Sequence, residues 1–218
     1  VAAFDLSGDT LFAGAAVRAS LALGRDPATP PAVGSVDRDD PRGVVRSTAP
    51  WPASVVSLEV ERPGSNRYAR LRVASEPDTG EPFAISDLLL FEAGETLPAS
   101  LDSVAGRALG DLVLDRQKPV GLYWELYGAT GETIAASVSV EPARKGLLGR
   151  LGQSLGVVSR MQPVRLEWSG PGPGTDFAAR SIELNLGRLD PGRYTIIVEA
   201  RDGSGRRAAA RRPVVLAR

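Results

Sequence analysis

The stretch Ser181 to Glu199, SIELNLGRLDPGRYTIIVE, constrains this chain more than any other. Ile182, Leu184 and Leu186 fall on one side of an extended chain, and Glu183, Asn185 and Gly187 on the other. After a turn the pattern resumes, with Tyr194, Ile196 and Val198 alternating with Thr195, Ile197 and Glu199. A period of two suits a half-buried strand and no helix. The turn is Leu189-Asp190-Pro191-Gly192-Arg193-Tyr194, in which proline pre-sets one dihedral and glycine tolerates positive φ.

The same grammar runs through most of the 218 residues. Alternating or apolar strand patterns occur at 10–23, 55–61, 68–73, 83–91, 112–114, 120–127, 133–140, 163–168 and 208–216, separated by Gly- and Pro-rich turns. The 55–61 and 68–73 pair, joined by Arg62-Pro63-Gly64-Ser65-Asn66, reads as a hairpin. Strands 120–127 and 133–140 read as partners across a turn at 128–131. Residues 83–91 read as one strand buried on both faces. Pro27, Pro30, Pro31, Pro41 and Pro50 mark 25–50 as a long loop. The fold expected is all-β, with two immunoglobulin- or fibronectin-like antiparallel sandwiches in tandem. The first covers 1–100 with its Pro-rich loop at 25–50, a linker covers 101–117, and the second sandwich covers 118–218. A tyrosine opening a strand after a Pro-Gly corner resembles the tyrosine corner of such sandwiches, with Pro191, Gly192 and Tyr194 as its residues.

Composition narrows the chemistry. The chain has no histidine and no cysteine. A Ser-His-Asp triad, a thiolate nucleophile, a disulfide and a Cys/His metal site are therefore impossible within it. Twenty-six basic side chains balance 26 acidic ones, so no net field draws the protein to nucleic acid. No run approaches the roughly 18 apolar residues of a membrane-spanning helix. The chain begins at Val1, and the expectation is either a removed upstream segment or a longer parent protein.

Several clusters carry side chains of the kind found in sites. Asp37-Arg38-Asp39-Asp40 offers carboxylates for calcium but lacks the spacing of a calcium loop, and reads as a solvated turn. Glu125 and Glu167 beside Trp124 and Trp168 form a possible glycosidase pair; alternation instead makes them outer neighbours of core tryptophans. Ser86-Asp87 has no base to activate the serine and reads as a strand-entry turn. Tyr123 and Tyr127 share a strand face and read as core. No catalytic, cofactor-binding or metal-ligating residue is assigned.

The segment 143–162, ARKGLLGRLGQSLGVVSRMQ, stands apart. Its leucines recur at helical spacing, and Arg144, Lys145, Arg150 and Arg160 have no acid among them. Its four glycines would each weaken a helix by up to about 1 kcal/mol. Two readings stand: a loop closing one end of its own sandwich, or a surface for a partner or a lipid interface. On the second, Leu147, Leu148, Leu151 and Leu155 make the contact, with Arg150 and Arg160 at its rim.

SLEVE at 57–61, ISDLLLF at 85–91, VGLYWELYG at 120–128, RLEW at 165–168 and LDPGRY at 189–194 resemble sandwich regions of exported bacterial proteins associated with the GWxTD-domain group. The GWxTD tetrapeptide itself is absent. The resemblance implies an envelope location and supplies no catalytic residues. The function expected is a non-catalytic extrinsic subunit that binds other protein subunits of a membrane-associated assembly on the periplasmic or extracytoplasmic face. A photosystem-type complex is the named example, and peripheral membrane contact is a further expectation. The alternative is a carbohydrate- or peptidoglycan-binding sandwich.

Overall fold

The computed structural model describes residues 1–26, 28–50, 53–74, 83–129, 133–143, 164–171 and 177–217. The partner segment expected at 143–162, with Leu147, Leu148, Arg150, Leu151, Leu155 and Arg160, lies outside the described residues apart from Ala143. The chain is nearly all β, built from several antiparallel sheets. It divides into two compact units: Val1–Glu81 with Ser100–Asp111, and Pro82–Ala99 with Leu112–Arg218. No described sheet draws strands from both.

The first unit holds β1 (Ala2–Asp5), β2 (Val17–Gly24), β3 (Ala32–Arg38), β4 (Arg42–Val45), β5 (Val55–Arg62), β6 (Arg67–Ala74) and the one-turn helix α1 (Leu101–Ala105). The order β3-β2-β5-β6 makes one sheet, and β1 pairs with β4. The hairpin read at 55–73 is β5–β6, and its turn places Gly64 at φ 74°. Alternation puts Val17, Ala19 and Leu21 of β2 and Val60 of β5 on one face. Phe4, Phe12 and Val45 bury that face.

Two expectations change here. The strand foreseen over 10–23 begins only at Val17. Asp9 ends it early: its carboxylate accepts from Leu11 N at 2.8 Å and its carbonyl from Ala13 N at 2.8 Å, winding 9–14 into a turn. The 25–50 stretch is no loop throughout, because it contains β3 and β4. Its prolines flank those strands and leave their interiors free to pair. Gly34 is required where the chain recrosses β3; a Cβ there would lie 1.7 Å from the Arg46 carbonyl oxygen.

The second unit holds β7 (Ala84–Ile85), β8 (Leu89–Glu92), β9 (Val113–Asp115), β10 (Val120–Tyr127), β11 (Thr133–Pro142), β12 (Val164–Pro171), β13 (Phe177–Leu184), β14 (Gly192–Asp202) and β15 (Arg207–Ala217). One sheet is β13-β10, with β7 and β8 both on the far edge of β10; the other is β12-β11-β14-β15-β9. The two sheets pack in a sandwich-like arrangement, with the Trp124 and Trp168 rings 5.9 Å apart between them. Leu122, Trp124, Val138, Ile196 and Val198 line the interior.

The stretch 101–117, expected as a linker, contains α1 and β9 and divides between the units. Residues 83–91 form two short strands with a break at 86–88. Ser86 stitches the break: its N donates to Glu125 O at 2.9 Å, and its hydroxyl accepts from Glu125 N at 2.9 Å. Strands β10 and β11, read as a hairpin, belong to different sheets. So do the opening pair, β13 and β14.

Candidate functional site

The corner between β13 and β14 explains why that pair is no hairpin. Seven residues, 185–191, separate the strands, and two of them, Leu186 and Leu189, are buried. Arg116 Nη1 donates to the Gly187 and Leu189 carbonyls at 3.1 and 3.3 Å. Tyr194 is 2% exposed, and its hydroxyl donates to the Asp190 carbonyl at 2.9 Å. Burial first, and the Asp190 charge second, push its phenol pKa upward. Pro191 and Gly192 carry the chain round this corner and into β14. These are structural contacts, with nothing reactive among them.

A depression of about 710 Å³ lies on the outer face of the five-stranded sheet. Register builds it. Ser137 of β11 stands between Glu167 of β12 and Glu199 of β14, and Ala135 between Ser169 and Arg201. Glu199 in turn faces Ala209 of β15, and Arg201 faces Arg207. Ala135 and Ser137 of β11 and Ala209 of β15 are the small residues at the centre of this outer face, and they make a low floor. Long charged side chains stand around it.

Arg165 ties one end together. Its Nε meets Glu167 Oε1 at 2.5 Å, its Nη2 meets Glu199 Oε2 at 3.8 Å, and it reaches the Ser137 hydroxyl at 3.4 Å. At the other end Arg201 and Arg207 stand directly opposite each other, and among the described residues no carboxylate bonds either one. Like charges facing across a ladder destabilise it. The adjacent β-turn is held separately: Asp202, 4% exposed, accepts from Ser204 N, from Arg206 N and from the Arg206 guanidinium.

The sequence candidates separate in space. Glu125 and Glu167 follow Trp124 and precede Trp168, whose rings meet inside the sandwich; alternation sends the two carboxylates to opposite outer faces. They do not form a pair across one cleft. Asp37 pairs with Arg18 at 2.8 Å and Asp40 with Arg42 at 3.1 Å, and no metal-holding cluster occurs among the described residues. Tyr123 is core at 2% exposure, whereas Tyr127 is 40% exposed, which corrects half of the reading that both are buried. Both hydroxyls donate to the Glu125 carboxylate, Tyr123 at 2.7 Å. Burial, then the Glu125 bond, pushes the Tyr127 phenol pKa up to about 12. Tyr127 also stacks on Phe177, with centroids 6.1 Å apart.

The shelf itself escaped the sequence reading. Its only local signal is the small residues Ala135, Ser137 and Ser139 at alternate positions of β11, with Ala209 alone on β15. Cross-strand register is needed to turn that signal into a floor. Among the described residues no helix is long and apolar enough to cross a membrane. Compared with known proteins, the chain matches no family model, and no curated protein matches it.

Proposed function

We propose that this chain is a non-catalytic contact module, whose second unit is an immunoglobulin-like sandwich that offers its outer shelf to a protein partner. The sandwich reading is supported by the order of the two sheets, by the parallel β15–β9 edge, and by a buried tyrosine on the strand that leaves the corner. A second sandwich in tandem, formed by the first unit, belongs to the same reading. A place in a cell-envelope assembly follows from the motif resemblance alone.

The shelf carries the functional proposal. It lies open on a sheet face, so a small molecule would be covered on one side only, whereas small-molecule sites bury most of their ligand. Arginine is enriched at protein interfaces and suits bidentate contacts. Arg201 and Arg207 stand with no described carboxylate bonded to them, which leaves their donors available to a partner's acids.

Placing a photo-crosslinking side chain at Ala209 in the native cell tests this. One defined protein adduct is expected, and it should vanish in the Arg201→Glu/Arg207→Glu double variant while the fold persists. An adduct that survives the double variant, or none at all, overturns the proposal. The exposed Tyr127–Phe177 stack favours a second reading, a carbohydrate platform. Retention on peptidoglycan, lost in Phe177→Ala, is its signature.

A further inference from the structure

The first unit carries an unfinished sheet. Its β6 lies at the edge of the four-stranded sheet and pairs only with β5 among the described residues. The core under this sheet covers β2, reaches Val56 and Leu58 of β5, and extends to Ala69 of β6. It stops there. Leu71 and Val73 lie on the same apolar face as Ala69, yet they are 61% and 50% exposed. On the opposite face β6 presents Tyr68, Arg70 and Arg72. Arg70 bonds Glu59 and lies over the Tyr68 ring at 5.6 Å. Arg72 faces only Ser57 across the ladder. The strand thus has one aliphatic row, one basic row and, among the described residues, one backbone edge with no paired strand.

We propose that β6 accepts an added strand from a partner protein, an extended segment alternating aliphatic and acidic residues. An exposed edge is a template for backbone pairing, and side chains on either side of the added strand select its sequence. The molecule already contains such a complement on the other side of β6. In β5, Leu58 faces Leu71, Val56 faces Val73 and Glu59 faces Arg70. A segment repeating that order on the free edge would extend the apolar row over Leu71 and Val73 and place acids beside Arg70 and Arg72.

A second copy of this chain fits poorly. The antiparallel self-pairings in which Leu71 faces Ala69, Leu71 or Val73 of the second copy are centred on Arg70, Leu71 and Arg72 respectively. The first sets Arg70 opposite itself, the second sets Arg70 opposite the second copy's Arg72, and the third sets Arg72 opposite itself. Like charges directly opposite destabilise a ladder. This surface belongs to the first unit and does not depend on the reading given for the shelf.

The test uses the whole chain and a fluorescent peptide, Val-Glu-Leu-Glu-Val-Glu, with Val-Lys-Leu-Lys-Val-Lys as its charge-reversed twin. Anisotropy titration should give saturable binding of the acidic peptide only. Arg72→Glu and Leu71→Ser should each weaken it on the order of tenfold, whereas Arg201→Glu/Arg207→Glu should leave it unchanged. Both β6 residues are exposed, and the peptide swap requires no change to the protein, so misfolding cannot imitate the result. Equal binding of both peptides, or of neither, overturns the proposal. So does a concentration-dependent dimer, measured by sedimentation, that Leu71→Ser abolishes.

Discussion

Tyr194→Phe removes one oxygen from the corner and keeps the ring. The ring is 2% exposed, and the hydroxyl makes a 2.9 Å bond to the Asp190 carbonyl. One such bond contributes about 0.5–1.5 kcal/mol net. Asp190 is exposed, so water can reach its carbonyl once the phenol is gone, which places the loss in the lower half of that range. Tyr194→Ala also removes the buried ring and should cost about 3–5 kcal/mol, the range for large aromatic truncations. The two variants therefore separate the bond from the packing. Thermal unfolding followed by tryptophan fluorescence in a Trp51→Phe background reports the second unit, because the other two tryptophans, Trp124 and Trp168, belong to it. Tyr194→Phe should lower its melting temperature by about 1–4 °C, at roughly 2–4 °C per kcal/mol. If it is neutral, the hydroxyl does not hold the corner. If it matches Tyr194→Ala, the ring contributes nothing, and the packing argument fails.

Two further outcomes follow from single sites. Folding favours the neutral Tyr127 phenol, whose pKa is pushed up to about 12 from an ordinary value of 10.0. Its stabilisation is whole below pH 10 and drains as pH rises through 12; urea unfolding across that window should fall less steeply in Tyr127→Phe than in the wild type, and equal slopes refute the assignment. Gly34→Ala forces a Cβ to within 1.7 Å of the Arg46 carbonyl oxygen, and the backbone on one side must move. A loss of at least about 2 kcal/mol in the first unit is expected from differential scanning calorimetry, and an unchanged transition would refute the close approach.

Alternation alone marks β5, β6, β10, β11, β14 and most of β15, because the two faces of a strand see different solvents whatever its neighbours are. It also marks the corner at 189–194, where proline, glycine and tyrosine act within six residues. The same pattern misleads over 10–23, where alanines at alternate positions carry no preference for burial and Asp9 winds the chain into a turn. Of the site, the individual charged residues are visible in the sequence, but nothing local places Arg165 beside both Glu167 and Glu199. The exposure of Leu71 and Val73 is likewise invisible to an alternation that counts them as core.

What the sequence by itself determined is which segments are extended, which side of each is apolar, and which reactions the chain cannot perform without histidine or cysteine. Only the tertiary structure decided which strands are neighbours. Strand β13 turns away from β14 to pair with β10 because the seven-residue link 185–191 buries Leu186 and Leu189 as the chain crosses between sheets, and β10 and β11 likewise take their partners in different sheets. The shelf and the open edge of β6 are consequences of that choice. The physical reason is that alternation is a property of successive residues, whereas pairing and register are set by side chains far apart in sequence that meet only when the sheets pack.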